Sequence, residues 1–184
     1  MGYKVPKRQA NRDYRLPGKY FVTICTYRRA HFFGRCKAGI MTRSPIGDIA
    51  NSLWFEMPDH LADVQLGAFV IMPNHVHGIV EIMPNGRFVH LPKPKPIDDG
   101  TIKFVSEISP MAGSLSQMIR SFKSAVTREA RLKGHDFAWQ KSFHDHVIKP
   151  GEEDRITNYI LNNPKTWEED GFYTTDVGGY TKND

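Results

Sequence analysis

The chain has 184 residues, two cysteines and a formal net charge of +5. That is enough for one domain with a substantial core, and too few thiols for a disulfide framework or a thiolate zinc centre. No apolar run reaches the roughly 18 residues of a membrane span, and the opening residues lack the apolar segment of a signal or anchor, so the expectation is a cytoplasmic protein with no membrane partner.

The charge is uneven. Residues 1–43 hold eleven lysines and arginines against Asp13 alone, a balance of +10 that leaves −5 for the remainder. A basic lobe of this kind is the footprint of a polyanion, most simply nucleic acid. Residues 1–18, with Pro6, Pro17 and Gly18, read as a basic arm. Tyr20 to Tyr27 is rich in β-branched and aromatic residues and predicts a strand. Arg28 and Arg29 follow at its end, placed to meet phosphates or to make a solvated turn.

Pro45 through Met57 predicts a helix. Ser44 caps it, Pro45 occupies the first turn, Ile46, Ile49, Ala50, Leu53 and Trp54 share one face, and Pro58 stops it. Val64 to Met72 predicts a second strand, apolar on both faces toward its end and therefore central in a sheet. Pro73-Asn74 turns the chain into a third strand, His75 to Ile82, which completes an antiparallel hairpin. Residues 84–110 carry five prolines and read as a loop or insertion.

Ser114 to Lys133 is the clearest helix. Leu115, Met118, Ile119, Phe122 and Val126 form one apolar stripe, Arg120, Lys123, Arg128 and Arg131 gather opposite, and Gly134 ends it. Phe137 to Ile148 contains a short fourth strand, and Glu152 to Asn163 is a last helix whose acidic first turn suits the helix dipole. The chain beyond 170 reads as an irregular tail. The order strand, helix, strand, strand, helix, strand, helix predicts an α+β fold, a split βαβ (ferredoxin-like, RRM-like) sandwich. Its four-stranded antiparallel sheet would carry two helices on one face, leaving the other face and the final helix for function. The expected layout is an arm over 1–18, a domain over 19–170 and a tail over 171–184.

Two places could carry chemistry. His75 and His77 sit two apart on a strand, so they point the same way and Val76 points the other. They are half of a metal site, or a pair of hydrogen-bonded core histidines. On the last helix Ile156, Tyr159, Ile160 and Asn163 share a face. Laid against the histidines, that face gives two nitrogens, an amide oxygen and a phenol. This set suits a divalent ion such as Mg²⁺ or Mn²⁺ that keeps open positions for a phosphate. A phenol of pKa ~10 is a poor nucleophile until its phenolate is favoured, which a metal on the scissile phosphate would assist. His144 and His146 repeat the spacing on the fourth strand and could join His75 and His77 around a structural zinc. Tyr20, Tyr27 and Tyr173 have no helical partner one turn away.

Met72-Pro73-Asn74-His75-Val76-His77-Gly78 and Tyr159-Ile160-Leu161-Asn162-Asn163-Pro164 resemble the paired signatures of single-tyrosine HUH transposases, and of the REP-associated tyrosine transposases in particular. Ile119 to Thr127, Trp139-Gln140, Asp145 to Ile148 and the opening around Tyr20 to Cys25 resemble that family's intervening segments. The resemblance runs from about Tyr20 to Asp170. It implies that His75 and His77 are metal ligands and that Asn163 stands where the wider superfamily often has a glutamine ligand. Tyr159 would be the nucleophile, forming a 5′-phosphotyrosine on single-stranded DNA and leaving a 3′-hydroxyl. The implied substrate is a DNA hairpin with a flanking guide sequence, cut and rejoined by a monomer or homodimer. Candidate DNA contacts are Arg28, Arg29, Arg120, Lys123, Gln140 and Lys141. The same residues also admit a non-catalytic single-stranded nucleic-acid binder on an RRM-like sheet, and the structural zinc protein.

Overall fold

A computed structural model describes residues 16–60, 63–83 and 114–175; most of the expected arm and all of the proline-rich insertion lie outside the described residues. Strand β1 is Gly18–Cys25, β2 is Gly34–Lys37, β3 is Ile40–Arg43, β4 is Val64–Met72, β5 is His75–Ile82 and β6 is His144–Val147. The helices are α1 (Pro45–Phe55), α2 (Met57–His60), α3 (Leu115–Leu132) and α4 (Glu153–Asn162). The main sheet runs β4-β5-β1-β6, with each adjacent pair antiparallel, which is the strand order of the split βαβ sandwich.

The two long helices on the first face start where their cap chemistry puts them. The Ser44 hydroxyl accepts from the Gly47 amide at 3.1 Å and the Ser114 hydroxyl accepts from the Gln117 amide at 3.3 Å. Gly134, at φ 79°, takes the left-handed position after α3. All five residues of the predicted α3 stripe are buried. Pro58 does not stop the chain's helical course outright. Helix α1 closes at Phe55, and Pro58 sits in the first turn of α2, where its missing N–H costs nothing.

Helices α1 and α3 cover one face of the sheet, packing on Tyr20, Val22, Ile24, Val76 and Val80. Trp54 lies at its centre, stacked on Phe69 at 4.5 Å and edge-on to Phe122 at 5.4 Å. Gly78 makes that possible, because a Cβ there would fall inside the Trp54 indole. The opposite face carries Phe21, Ile79, Thr23, His75 and His77, the alternate residues of the same strands.

Three expectations change. Strand β4 is an edge strand, not a central one. It is apolar on both faces because helices cover both: α1 and α2 on one side, α4 on the other. The second face of the sheet is also not bare, since Ile156 and Ile160 of α4 pack on Phe21 and Ile79. Finally, a hairpin not foreseen, β2–β3, stands between β1 and α1 and turns through Ala38 and Gly39 at φ 50° and 76°.

Candidate active site

Register places the histidines. Pro73-Asn74 is a two-residue connection between paired Met72 and His75, so β5 begins at His75, next to the turn. His77 pairs with Thr23 of β1, and Thr23 pairs with His144 of β6, giving a row of three residues on one face. Both His75 and His77 are fully buried.

Hydrogen bonds fix one imidazole completely. The Asn74 amide nitrogen donates to Phe172 O at 2.9 Å and to Thr174 Oγ1 at 3.0 Å. Its oxygen must then face His75, and His75 Nδ1 donates to that oxygen at 2.8 Å. With the proton on Nδ1, His75 Nε2 presents a bare lone pair, and that atom finds no hydrogen-bond partner among the described residues. His77 Nδ1 lies 2.8 Å from the Thr23 hydroxyl, which turns its Nε2 into the same space. Tethering the distal nitrogen is how metal-binding histidines are oriented.

The final helix and the turn after it complete the cluster. The Tyr159 hydroxyl stands 3.3 Å from His77 Nε2 and donates to Asp170 Oδ2 at 2.8 Å. The Asn163 amide nitrogen donates to the same carboxylate oxygen at 2.6 Å, and the backbone amide of Phe172 donates to Asp170 Oδ1 at 2.6 Å. Asn163 Oδ1, like His75 Nε2, is buried with no hydrogen-bond partner among the described residues. His75, His77 and Asp170 each offer a ligand atom within 4.8 Å of the others, a group that could hold a metal ion. Nitrogen and carboxylate donors with two orphaned acceptors fit a divalent ion better than they fit an empty polar pocket, since an unsatisfied buried acceptor costs about 1–3 kcal/mol.

The electrostatics agree. Burial, reinforced by the neighbouring His77, pushes His75 well below its ordinary pKa, and burial also lowers His77 against the pull of Asp170. Both are therefore neutral imidazoles at neutral pH, the form in which a histidine can bind a metal. Burial alone would raise Asp170, but its hydrogen bond to His77, its proximity to His75 and the Asn163 amide hold it well below the carboxylate range. It is ionised.

Above the pair lies an aromatic roof: Trp167 stands 5.9 Å from the His75 ring, and Phe172 5.0 Å from His75 and 5.8 Å from His77. Arg28 and Arg29, at φ 52° and 56°, both hold the left-handed conformation at the end of β1. Arg29 reaches the roof, donating to Gly171 O at 3.2 Å with its guanidinium 5.0 Å from the Phe172 ring, whereas Arg28 lies over Tyr27 and is exposed. Lys123 donates to Gln140 O at 2.6 Å and Lys141 O at 3.3 Å, tying those three together, and Arg120 is exposed on α3.

Among the described residues, His144 and His146 do not join the His75–His77–Asp170 group. His144 faces Phe172 at 6.0 Å and His146 Nε2 is bound to Glu152 at 2.9 Å, so the four-histidine zinc arrangement does not form. Sequence reading missed Asp170, Asn74, Thr23 and Phe172. Asn74 could have been suspected from its place in the turn before the pair; Asp170 had no signal, because only the turn Trp167–Glu169 brings it back to α4.

A split βαβ sheet with a buried His–His–Asp centre and a tyrosine beside it defines the architecture. The fold is shared with a solved REP-associated tyrosine transposase bound to a REP hairpin, at TM-score 0.55 and 17% identity, covering 96% of this chain and 94% of that one. A candidate transposase from Deinococcus radiodurans R1 gives a TM-score of 0.35 at 16% identity, over 84% of this chain and 97% of that one. In sequence, an uncharacterized protein of Haemophilus influenzae is 32% identical over 167 residues, 88% of each chain, and this chain belongs to one family with it. No family model matches the chain.

Proposed function

We propose that this protein is a single-tyrosine HUH transposase, a metal-dependent DNA strand transferase that cuts and rejoins single-stranded DNA beside a hairpin. The observation that carries the reading is the Tyr159 hydroxyl, 3.3 Å from His77 Nε2 inside the His75–His77–Asp170 cluster. The shared fold, the signature blocks around His75 and Tyr159, and the basic N-terminal lobe support it.

His75 Nε2, His77 Nε2 and the Asp170 carboxylate would hold the ion, Mg²⁺ or Mn²⁺, with Asn163 Oδ1 as a further donor. When bound, it would withdraw charge from a non-bridging oxygen of the scissile phosphate. The chain's own residues do the rest. Asn74 and Thr23 aim the imidazoles, Asp170 orients the phenol, and the Phe21 edge packs against the Tyr159 ring at 6.1 Å. Tyr159 Oη attacks phosphorus, the P–O3′ bond breaks, the phenolic proton is lost, and the leaving oxygen takes up a proton as a 3′-hydroxyl. The 5′-phosphotyrosine so formed keeps the energy of the diester, and attack by another 3′-hydroxyl reverses the step. His75 and His77 are fully buried, so a phosphate reaching them would require the side chains above them, Phe172 and Trp167 among them, to move.

The test is a labelled single-stranded hairpin oligonucleotide incubated with Mg²⁺ or Mn²⁺ and resolved under denaturing conditions. The wild-type protein should retain label covalently and Tyr159→Phe should not. Label retained by Tyr159→Phe, or by neither protein with either ion, overturns the reading.

A further inference from the structure

Strand β6 places a further imidazole on the active-site face that the chemistry above does not use. His144 pairs with Thr23, and Thr23 pairs with His77, so the three side chains stand in one row across β6, β1 and β5. Two strand spacings put the His144 and His77 backbones ~10 Å apart. The Phe172 ring lies among them, its centre 5.0 Å from the His75 ring, 5.8 Å from His77 and 6.0 Å from His144. A phosphate that takes the place of that ring is flanked by His75 and His77 on one side and by His144 on the other.

His144 also differs from its neighbours in what holds it. Asn74 and Thr23 tether His75 and His77 through Nδ1, and Glu152 binds His146 Nε2. The half-buried His144 side chain has no hydrogen bond or ion pair among the described residues. Its position relative to Tyr159 is the second observation. Helix α4 brings Tyr159 in over β4 and β5, beside His77, whereas β6 forms the opposite edge of the sheet. In-line displacement sets the attacking and leaving oxygens on opposite sides of phosphorus. An attack from the Tyr159 side therefore expels the 3′-oxygen toward His144. That oxygen departs as a strongly basic alkoxide unless a proton reaches it while the P–O3′ bond breaks, and imidazole is a side chain suited to supplying one.

We propose that His144, as imidazolium, gives its proton to the leaving O3′ and, as imidazole, takes it back when a 3′-hydroxyl attacks in the rejoining step. The assignment rests on the strand-transfer reading above. In cleavage the Tyr159 Oη–P bond forms and the P–O3′ bond breaks. The His144 proton goes to O3′, and the phenolic proton leaves to water by way of Asp170, its acceptor at 2.8 Å.

The experiment first maps where the full chain, with Mn²⁺, cuts a labelled single-stranded hairpin oligonucleotide. A second oligonucleotide carries a bridging sulfur in place of O3′ at that position, because a thiol of pKa ~8.5 leaves as its anion without help from an acid. Covalent adduct formation is then timed under single-turnover conditions for wild type and His144→Gln on both linkages. His144→Gln should slow the oxygen linkage by about 100-fold or more, the range of general acid catalysis, and the sulfur linkage by less than about threefold. Loss of folded protein lowers both rates together and leaves their ratio unchanged, so the ratio separates proton donation from a structural role. An equal fall on both linkages, or no fall on either, overturns the assignment and leaves the strand-transfer reading standing. No adduct from the wild-type protein on either linkage overturns that reading and this assignment with it.

Discussion

Replacing Asn74 with alanine tests whether the second layer of hydrogen bonds prepares the histidines for a metal. The substitution removes the acceptor that His75 Nδ1 uses at 2.8 Å and the donor that holds Phe172 O at 2.9 Å and Thr174 Oγ1 at 3.0 Å. His75 is then free to change both its tautomer and its ring orientation. Partners of this kind affect metal affinity by roughly 10–100-fold, or about 1.4–2.7 kcal/mol. Three hydrogen bonds at about 0.5–1.5 kcal/mol each set an outer bound of a few kcal/mol on stability. The assay is calorimetric titration of Mn²⁺ into the variant at fixed pH, with thermal unfolding run beside it. Asn74→Asp keeps an acceptor for His75 and removes the donor to Phe172, so it should recover most of the affinity without recovering the stability. A folded Asn74→Ala protein that binds Mn²⁺ as tightly as wild type would refute the reasoning.

Other expectations follow from the same geometry. Gly78→Ala drives a methyl into Trp54, and overpacking of this kind costs about 1–3 kcal/mol, which is roughly 2–4 °C of Tm for each kcal/mol in a domain this size. A melting curve unchanged from wild type would contradict it. Burial pushes the Cys25 thiol up to about 12, so at pH 8 it stays protonated; iodoacetamide should label native protein at Cys36 alone and reach Cys25 only after unfolding, as read by mass spectrometry. The Glu152 carboxyl is held below its ordinary pKa first by the Lys149 backbone amide at 2.9 Å and then by His146. A depressed carboxylate contributes stability above its unfolded pKa of about 4.3, and that contribution disappears as pH falls through the folded value. Denaturant titrations should therefore find Glu152→Gln less stable than wild type at pH 7, with the gap closing below pH 4.

How much of this was legible in the sequence depends on the range of the interactions. Helix α3 could be read almost residue by residue, because Ser114, the stripe Leu115 to Val126 and Gly134 are local signals that agree with one another. The shared face of His75 and His77 followed from the strand period alone. The hairpin Gly34–Arg43 escaped notice because its turn uses Ala38-Gly39 rather than an asparagine or aspartate pair. The edge position of β4 was hidden because covering by helices on both faces leaves the same apolar pattern as a central position. Asp170 could not be found by spacing from Tyr159, since it returns through an irregular turn whose course is set by Trp167 packing on His75 and His31.

The strand alternation around His75 also sets what kinds of change this chain can tolerate. Val76 and Val80 fill the helical core while His75, His77 and Ile79 fill the other face. Substitutions here can be weighed one at a time, but a change in residue count cannot. Inserting or deleting a single residue between Asn74 and Ile79 would slip the register, sending imidazoles into the apolar layer and valine toward Tyr159. The spacing of the two histidines is thus inherited from the pleat of a paired strand rather than from the length of a loop, and the lineage of this site should vary by replacement and not by insertion.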